Sequence, residues 1–434
     1  MAGTLFNAVM AVALLLLAWG FAQFVLWYRW GTAELRAAQR QQARPSRAYR
    51  LAFLIPCLNE ENVIGETVRI LRETAPGVLV VVVDDASDDR TGMLAAAAGA
   101  TVVRRELPDA RGGKGAALNH GYGHLLALLA RTPVDLERTV VCVLDADGRL
   151  SPNAIPEALA RFDNPRVGGV QLPVRIRNKR RFLARMQDFE FWGLSAIAQM
   201  ARIRTRSVSL GGNGQFTRLT AVRGVGETPW SDALTEDLDL GLELTLRGWE
   251  LDCAANAWVS QQGVETVRAL LRQRTRWYQG HMLCAGKARL LWESSKVARP
   301  TALETTIYLL SPSFVLLPWS IAFTLGLAFF VFTVTHHEEI AFGATHVDVV
   351  LYASFWYVLT FLPTIVIAVV YWRRSEEEHL AAAIVKGHVQ VFYSYVNMAA
   401  GWRALGRIAL RRNTWAKTAR IPERAADVSV RKAA

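Results

Sequence analysis

The stretch Val80-Val-Val-Val-Asp84-Asp85-Ala-Ser-Asp88-Asp89 decides the predicted fold. Residues 78–83 form an uninterrupted, β-branched apolar run, which is typical of a strand buried on both faces of a parallel sheet. Residues 51–56 and 140–144 have the same character. Helical patterns occupy the stretches between them, namely 62–73, 91–98 and 116–129. This alternation of strands and helices predicts an α/β domain with a mostly parallel sheet.

Acidic residues follow two of these strands. Asp84 and Asp85 end the first run, and Asp145 and Asp147 form a D-x-D pair just after residues 140–144. Ligands of parallel α/β sheets bind at the carboxyl ends of the strands. Carboxylates there can accept hydrogen bonds from a nucleotide base, or hold a divalent cation that bridges to phosphates. Helix capping and turn formation are the structural alternative, because Asp and Ser are common in both.

A glycine-rich turn precedes a helical stretch at Arg111-Gly-Gly-Lys114-Gly-Ala-Ala-Leu-Asn119. Glycines let the backbone approach a ligand closely, and Lys114 supplies a point charge suited to phosphate. The spacing and the missing Ser or Thr distinguish this turn from a Walker motif. A surface turn without a ligand is the alternative.

Two further motifs lie in predicted helices. Thr235-Glu236-Asp237 indicates a helix start capped by Thr235, in which Asp237 is either an acid favoured by the helix dipole or a general base. Gln273, Arg276 and Trp277 are spaced i, i+3 and i+4, so they share one helical face. An arginine there can stabilise a leaving diphosphate and an indole can stack on a sugar, whereas helix packing at a membrane is the alternative.

The composition of the 434-residue chain indicates membrane segments beside a soluble domain, because 52% of its residues are hydrophobic and 14 are tryptophan. The net charge is +12, but the Lys and Arg residues cluster beside apolar stretches and form no single block. This positive-inside pattern argues against a nucleic-acid partner. The four cysteines are far apart, so we expect buried free thiols and neither disulfides nor a zinc site.

Apolar runs predict the membrane topology. Residues 5–28 form a run of about 24 residues, long enough at about 1.5 Å per residue to cross a bilayer core of about 30 Å. Arginines follow it, which predicts that the next domain is cytoplasmic. Residues 302–335 contain either one long crossing or a surface helix followed by a crossing, because we expect Pro312 and Pro318 to break the early part. Residues 349–372 then cross back to the inside.

Two amphipathic stretches are expected near the membrane surface. Residues 381–410 are predicted to lie partly at the interface, with two additional crossings as the alternative. Residues 182–206 mix bulky apolar residues with basic ones. They fit either a basic helix on the membrane surface or a solvated helix face.

Taken in order, these motifs resemble those of glycosyltransferase family 2, in particular its membrane-integrated synthases of cellulose, hyaluronan and poly-N-acetylglucosamine. The family's P-x-x-N-E element is similar to Pro56-Cys-Leu-Asn59-Glu60. Lys114 stands where family members carry the lysine of a K-x-x-A-L-N element. The family's D-x-D, T-E-D and Q-x-x-R-W elements match the motifs quoted above. Residues 210–218, expected near the acceptor, differ from the version in cellulose and hyaluronan synthases. The family's D-D-x-S-x-D acids match Asp84, Asp85 and Asp88.

The resemblance implies a GT-A fold, a UDP-sugar donor, a divalent cation (Mg²⁺ or Mn²⁺) and a single inverting displacement. It implies that Asp237 is the general base and that Glu236 and Arg276 are the other catalytic residues. It also implies that Trp277 binds the acceptor. The cation, Lys114 and Arg276 bear the charge of the leaving diphosphate. The implied metal ligands are Asp145 and Asp147. The implied nucleotide-sugar residues are Pro56, Asn59, Glu60, Asp84, Asp85, Lys114, Asp145, Gln273 and Arg276.

The implied architecture is an α/β domain of GT-A type, cytoplasmic, joined to transmembrane and interfacial helices of a multi-pass protein of the plasma (inner) membrane. The predicted segments are 1–29, a transmembrane helix; 30–50, a basic linker; 51–170, the nucleotide-sugar half; 171–297, the acceptor half; 298–412, transmembrane and interfacial helices; and 413–434, a basic cytoplasmic tail.

The leading hypothesis is a processive synthase that adds sugars to a growing β-linked polysaccharide and exports it. The first alternative is a non-processive enzyme that adds a sugar to a membrane lipid. The second is a transporter or scaffold without catalysis. The expected partners are the UDP-sugar, a carbohydrate or lipid acceptor, and the bilayer. Because so few crossings would form only a narrow export channel, we also expect either a homo-oligomer or a small accessory membrane subunit.

Overall fold

The computed structural model describes residues 2–40, 43–131, 133, 135–335, 346–412 and 420–422. Its helices are, in chain order, α1 (Ala2–Arg40), α2 (Ile64–Thr74), α3 (Thr91–Ala97), α4 (Lys114–Leu129), α5 (Ala154–Arg161), α6 (Phe182–Asp188), α7 (Ala196–Ala201), α8 (Leu219–Arg223), α9 (Glu236–Leu246), α10 (Val267–Cys284), α11 (Ala288–Glu293), α12 (Arg299–Ser311), α13 (Leu317–Thr335), α14 (His346–Arg374) and α15 (Leu380–Ala409). Its strands are β1 (Arg50–Cys57), β2 (Leu79–Asp84), β3 (Thr101–Arg104), β4 (Thr139–Val143), β5 (Arg149–Leu150), β6 (Val167–Gln171), β7 (Val174–Ile176), β8 (Gln215–Arg218), β9 (Glu250–Cys253) and β10 (Val259–Gln261). Two π-helical turns, Phe189–Ser195 and Pro312–Leu316, connect α6 to α7 and α12 to α13.

Seven strands form one sheet in the order β3-β2-β1-β4-β8-β6-β9. Within it β1 pairs in parallel with β2 and β4, β2 with β3, and β6 with β9. β8 runs antiparallel to both of its neighbours, β4 and β6. The predicted mostly parallel α/β sheet is confirmed. The two predicted halves of the domain share this sheet, because β8 and β9 come from the second half.

Successive side chains of a strand point to opposite faces of the sheet, and helices cover both faces. On one face Leu54 of β1 packs with Leu118 of α4, and on the other Phe53 packs with Val68 of α2. Strands covered on both sides are apolar throughout, as the runs in the sequence predicted. The predicted strands and helices are present, with ends that shift by about one or two residues. The four cysteines are free and buried, as expected.

Residues 182–206 are mostly buried, although Phe182, Arg185 and Arg204 are exposed, so neither predicted interpretation describes the whole stretch. They form α6, a π-helical turn and α7, and they pack against α1 and α14. Met186, Phe189 and Met200 are fully buried. Arg202 is buried too, with its guanidinium carbon 3.8 Å from the centroid of the Tyr308 ring. The basic residues therefore differ in their surroundings: Arg202 is stacked inside the protein, whereas Arg185 and Arg204 are exposed.

Asp188 connects this buried segment to α14. Its carboxylate accepts hydrogen bonds from the Tyr371 hydroxyl and the Ile176 N–H, both at 2.8 Å, and pairs with Arg175 at 3.1 Å. Burial opposes ionisation, but Arg175 and Lys179 lower the pKa of Asp188 below its usual value. The helical region and the sheet domain are therefore joined by a buried, paired charge.

Prolines do not break the helical run after Arg299, contrary to expectation. α12, the Pro312–Leu316 turn and α13 follow one another directly. Pro312 begins the π-helical turn, where a residue without an N–H disturbs the regular hydrogen bonds. Pro318 lies in the first turn of α13, where a missing N–H is tolerated. The run therefore changes its pitch locally and continues.

Two described helical stretches, Arg299–Ala328 and Ala353–Arg374, are long and apolar enough to cross a membrane by length and composition. They overlap the predicted runs at 302–335 and 349–372. α1 continues to Arg40, so the first part of the predicted linker is helical, and α15 packs along α10 and α14. Most of the connection between these two runs, and most of the predicted tail 413–434, lies outside the described residues.

Candidate active site

The predicted motifs converge at the carboxyl ends of β1, β2 and β4. Pro56 lies in β1, and Asn59 and Glu60 follow the strand. The side-chain oxygen of Asn59 accepts the Asp88 N–H at 2.8 Å, and the Asn59 N–H donates to Ser87 Oγ at 2.9 Å. The loops after β1 and β2 therefore hold one another in place.

Asp84 and Asp85 are buried and have basic partners. Asp84 pairs with Arg104 at 2.8 Å and accepts the Ser87 N–H at 2.9 Å. Asp85 pairs with Arg105. The turn-forming role that the sequence left open is therefore present at Asp84. The nucleotide-binding role of both acids stays a prediction.

Lys114, the first residue of α4, is the centre of a charge network. Its Nζ lies 2.7 Å from Asp145 Oδ1, 2.9 Å from the Gly212 carbonyl oxygen and 3.7 Å from a carboxylate oxygen of Glu236. Burial favours the neutral amine, but Asp145, Glu236 and Asp237 raise the pKa of Lys114 above its usual value. Lys114 is therefore a fixed cation at a helix start, which suits phosphate.

The two D-x-D carboxylates have different surroundings. Asp145 is partly exposed, whereas Asp147 is fully buried. Asp147 Oδ2 accepts the Gln262 N–H at 2.7 Å, and its Oδ1 lies 3.0 Å from a guanidinium nitrogen of Arg420. Burial opposes the ionisation of Asp145, but Lys114 and Arg420 lower its pKa below the usual value. Asp145 is therefore anionic at neutral pH.

Arg420 is a site residue that the motifs did not predict. Its neighbour Ile421 donates its N–H to Gln262 Oε1 at 3.0 Å and accepts from Gln262 Nε2 at 2.8 Å. These two bonds fix the chain beside the D-x-D pair. Arg420 lies far from that pair in the sequence, and its position in a basic tail was the one available signal.

Glu236 and Asp237 begin α9 beside Lys114. Burial, and then the neighbouring Asp237, raise the pKa of Glu236 to about 7. Burial also raises the pKa of Asp237, and Lys114 partly offsets this. Thr235 holds the N-cap position, but its side chain makes no capping hydrogen bond in the described structure, so the predicted cap is wrong. Its hydroxyl lies instead 3.7 Å from Cys284 Sγ in α10.

Gly212 brings the 210–218 segment against these groups. Its φ is +66°, a conformation that side-chain-bearing residues rarely adopt. A Cβ at this position would lie 2.7 Å from Asp237 Oδ2 and 3.0 Å from Lys114 Nζ. Only a glycine lets the backbone approach both charged groups this closely.

Gln273, Arg276 and Trp277 lie in α10 and border one cavity, so their predicted common face is confirmed. Arg276 donates to the Leu234 carbonyl at 3.0 Å, which links α10 to the start of α9. Trp277 meets the Phe191 ring edge-on, with 6.1 Å between the centroids. The three α10 residues therefore adjoin the acids of α9.

The cavity has a volume of about 710 Å³ and two chemically different ends. The charged end is lined by Lys114, Asp145, Glu236, Asp237, Arg276 and Arg420. The less polar end is lined by Tyr308, Ser311, Pro312, Val315, Leu316 and Trp319. This second end falls within the apolar stretch Arg299–Ala328. One cavity therefore joins the edge of the sheet to a helix that could cross a membrane.

Comparison with known families agrees with this site. The family described as "Glycosyl transferase family group 2" matches residues 140–372, more than half of the chain, and "Glycosyl transferase family 2" matches residues 52–222. The chain belongs to glycosyltransferase family 2. Together the two matches cover the sheet, every motif quoted above and the helical run to α14.

Two curated relatives of this glycosyltransferase are named for different products. It is 33% identical over 307 residues to a beta-monoglucosyldiacylglycerol synthase of Synechocystis sp., covering 64% of this chain and 60% of the relative. It is 29% identical over 237 residues to a poly-beta-1,6-N-acetyl-D-glucosamine synthase of Staphylococcus aureus, covering 53% of this chain and 54% of the relative. The chain therefore spans less than two thirds of either relative.

A solved structure supports the fold of this glycosyltransferase. The mannosyltransferase PcManGT from Pyrobaculum calidifontis, in complex with GDP-Man and Mn²⁺, superimposes with a TM-score of 0.55 at 16% identity. The match covers 89% of this chain and 99% of the other. The α/β fold of GT-A type is therefore confirmed.

The D-x-D pair of this glycosyltransferase suits a divalent cation. No three His, Cys, Asp or Glu side chains converge as a metal cluster in the part of the chain that the structure describes. Asp145 and Asp147 nevertheless offer hard oxygen ligands, and a cation bound there would have to displace the Arg420 guanidinium from Asp147 Oδ1. Two carboxylates leave coordination positions for donor phosphates and water, as Mg²⁺ prefers.

Proposed function

We propose that this glycosyltransferase transfers a sugar from a UDP-sugar to a hydroxyl group of a membrane lipid, with inversion, at the cytoplasmic face of the plasma (inner) membrane. The observation that carries the proposal is the single cavity with a charged end and an end inside the apolar stretch Arg299–Ala328. An amphipathic acceptor matches both ends, since its hydroxyl meets the acids while its hydrocarbon stays among the helices. The relatives named for glucosyldiacylglycerol synthesis support the same acceptor class.

We assign the donor to the charged end. Lys114, Arg276 and Arg420 are cationic groups around the cavity that would bind the diphosphate. Asp145 and Asp147 would hold Mg²⁺ or Mn²⁺, which, when bound, neutralises charge on the phosphates. The remaining donor contacts are assigned to Pro56, Asn59, Glu60, Asp84, Asp85 and Gln273.

Asp237 is assigned as the general base. It removes the proton of the acceptor hydroxyl while that oxygen attacks the anomeric carbon, and the bond from this carbon to the UDP oxygen breaks. UDP departs with the bonding electrons, and Lys114 and Arg276 stabilise its charge. The raised pKa of Asp237 makes it a better proton acceptor than an exposed aspartate. Glu236, 3.7 Å from Lys114, holds that lysine toward the cavity.

A processive polysaccharide synthase is the second candidate, and Trp277 favours it. The indole borders the cavity next to Phe191, and two aromatic rings offer apolar faces to a sugar ring. The Staphylococcus aureus relative is named for polymer synthesis. In that case Trp277 would bind the growing chain, and export would require further membrane helices from a second copy or an accessory subunit.

The test is UDP release and product analysis with the detergent-solubilised full chain, in Mg²⁺ or Mn²⁺. Donors are UDP-glucose, UDP-N-acetylglucosamine, UDP-glucuronate and UDP-galactose, each with and without diacylglycerol, and Asp147→Asn is the inactive control. We expect lipid-dependent UDP release and one chloroform-soluble product that carries a single sugar. A polymer formed without added lipid would replace this proposal with the second candidate. Failure to consume any donor would contradict both.

A further inference from the structure

A largely buried ion pair forms part of the wall of the cavity. An Arg274 guanidinium nitrogen lies 2.5 Å from a Glu190 carboxylate oxygen, and the two side chains are 6% and 13% exposed. The same carboxylate accepts from the Tyr393 hydroxyl and from Asn397 Nδ2, both at 3.1 Å. Glu190 therefore connects the Phe189–Ser195 turn with α10 and α15.

The guanidinium of Arg274 also contacts two aromatic rings. Its central carbon lies 4.5 Å from the centroid of the Trp277 ring and 4.9 Å from that of Phe191. These distances are within the range of a cation–π contact. Glu190, Phe191, Arg274 and Trp277 all border the cavity. The Trp277 ring therefore contacts a cation that is itself paired with Glu190.

A contribution to stability does not by itself explain an arginine at this position. A buried ion pair costs desolvation free energy and often stabilises a protein no better than apolar residues of similar volume. In the described structure Arg274 Nε has no hydrogen-bond partner, so the hydrogen-bonding capacity of the group is only partly used. The property that the site does use is a planar cation that can stack, which lysine lacks.

We propose that Arg274 is a positioning residue for the acceptor, which acts through Trp277, and that Glu190 holds Arg274 in place. This inference rests on the proposed function and extends it, because it assigns Trp277 to the acceptor in both candidate reactions. Loss of Arg274 frees the Trp277 ring to rotate, and acceptor binding weakens. The donor end is unaffected, since among the described residues neither Glu190 nor Arg274 pairs with a residue assigned to the donor.

The experiment compares Arg274→Met, Arg274→Lys and the control Arg272→Met, an exposed position on the same helix. The readouts are KM for acceptor, KM for UDP-sugar, and hydrolysis of UDP-sugar by water. For Arg274→Met we expect acceptor KM to rise about 5- to 30-fold, with donor KM and hydrolysis unchanged. Arg274→Lys keeps the charge without the planar stack, so its acceptor KM should lie in between. Arg272→Met should match the wild type.

A double-mutant cycle tests whether Arg274 acts through Trp277. In a Trp277→Ala background, Arg274→Met should raise acceptor KM no further. A full, additive effect in that background, or an unchanged acceptor KM for Arg274→Met alone, would overturn the positioning role. Equal loss of donor binding, hydrolysis and melting temperature would also overturn it, in favour of a purely structural role. A wild-type chain that transfers no sugar would instead contradict the proposed function itself.

Discussion

The two ends of the cavity are constructed differently. The charged end lies at the carboxyl ends of parallel strands, where short-range pairs such as Lys114 with Asp145 and Asp84 with Arg104 fix the loops. The other end is formed by one helical run whose hydrogen bonding changes at Pro312. The charged end is therefore defined by charged groups in fixed positions, whereas the less polar end is defined mainly by the shape of its helical lining. Under the proposed function, donor chemistry resides in polar motifs, whereas the choice of acceptor depends on how apolar helices pack.

This difference predicts different kinetic consequences for substitutions at the two ends. Charges that are already in place stabilise a transition state without reorganisation, so their loss lowers kcat. Apolar contacts with the acceptor act equally in the ground state and the transition state, so their loss raises KM with little effect on kcat. Each prediction below tests one side of this division.

The largest effect is expected for Asp237→Asn at the charged end. Without a base, kcat should fall about 10²- to 10⁴-fold, because general base catalysis typically contributes that much. UDP binding, measured by calorimetry, should be retained. Asp232→Asn, an exposed acid in the preceding loop, is the matched control. A kcat close to that of the wild type would remove Asp237 from the role of base.

A smaller effect is expected for Gly212→Ala. The positive φ and the 2.7 Å approach to Asp237 Oδ2 leave no room for a Cβ, so the segment must shift away from the acids. A left-handed conformation costs alanine about 1–2 kcal/mol, which corresponds to a loss of about tenfold in kcat/KM if that strain disturbs the site. Gly123→Ala is the control, since a Cβ there meets no atom within 4 Å. Equal kcat/KM for both variants would show that the close approach has no role.

The smallest effect concerns the pH dependence of the unmodified protein. A base must be deprotonated, and the pKa of Asp237 is raised by burial, so kcat should fall with decreasing pH sooner than it would for an exposed aspartate. Glu236, whose pKa is raised to about 7, should titrate together with Asp237, so the fall should begin near neutrality. Initial rates across the acid range, with circular dichroism to exclude unfolding, measure this. A rate that stays constant down to the range of an ordinary aspartate would contradict the assignment.

Much of the fold and the charged end could be predicted from the sequence. The valine run before Asp84 carries the signal of a doubly covered strand, and the positions of acids after two such runs follow from parallel topology. Motif order then brought Lys114, Asp145 and Asp237 together. These inferences succeeded because each depends on local pattern and on one general property of parallel sheets.

The remaining features depend on contacts between distant parts of the chain. Arg420 approaches Asp147 from the tail, and Glu190 of the Phe189–Ser195 turn pairs with Arg274 of α10. The burial of Arg202 and the helical continuity through Pro312 likewise reflect tertiary packing, which overrides local propensity. For the same reason the less polar end of the cavity carries no sequence motif, although the two proposed functions differ in the acceptor that would bind there.

If one cavity joins the donor acids to a lipid acceptor, a substitution that blocks its less polar end should stop transfer to the lipid. Val315→Trp fills the less polar end, whereas Ile321→Trp places the same side chain at an exposed position on the following helix. The measurement is the ratio of sugar transfer to diacylglycerol over hydrolysis of the UDP-sugar. We predict that Val315→Trp lowers this ratio about tenfold or more through lost acceptor binding, while Ile321→Trp leaves it unchanged. Unaltered transfer to lipid in Val315→Trp would contradict the claim.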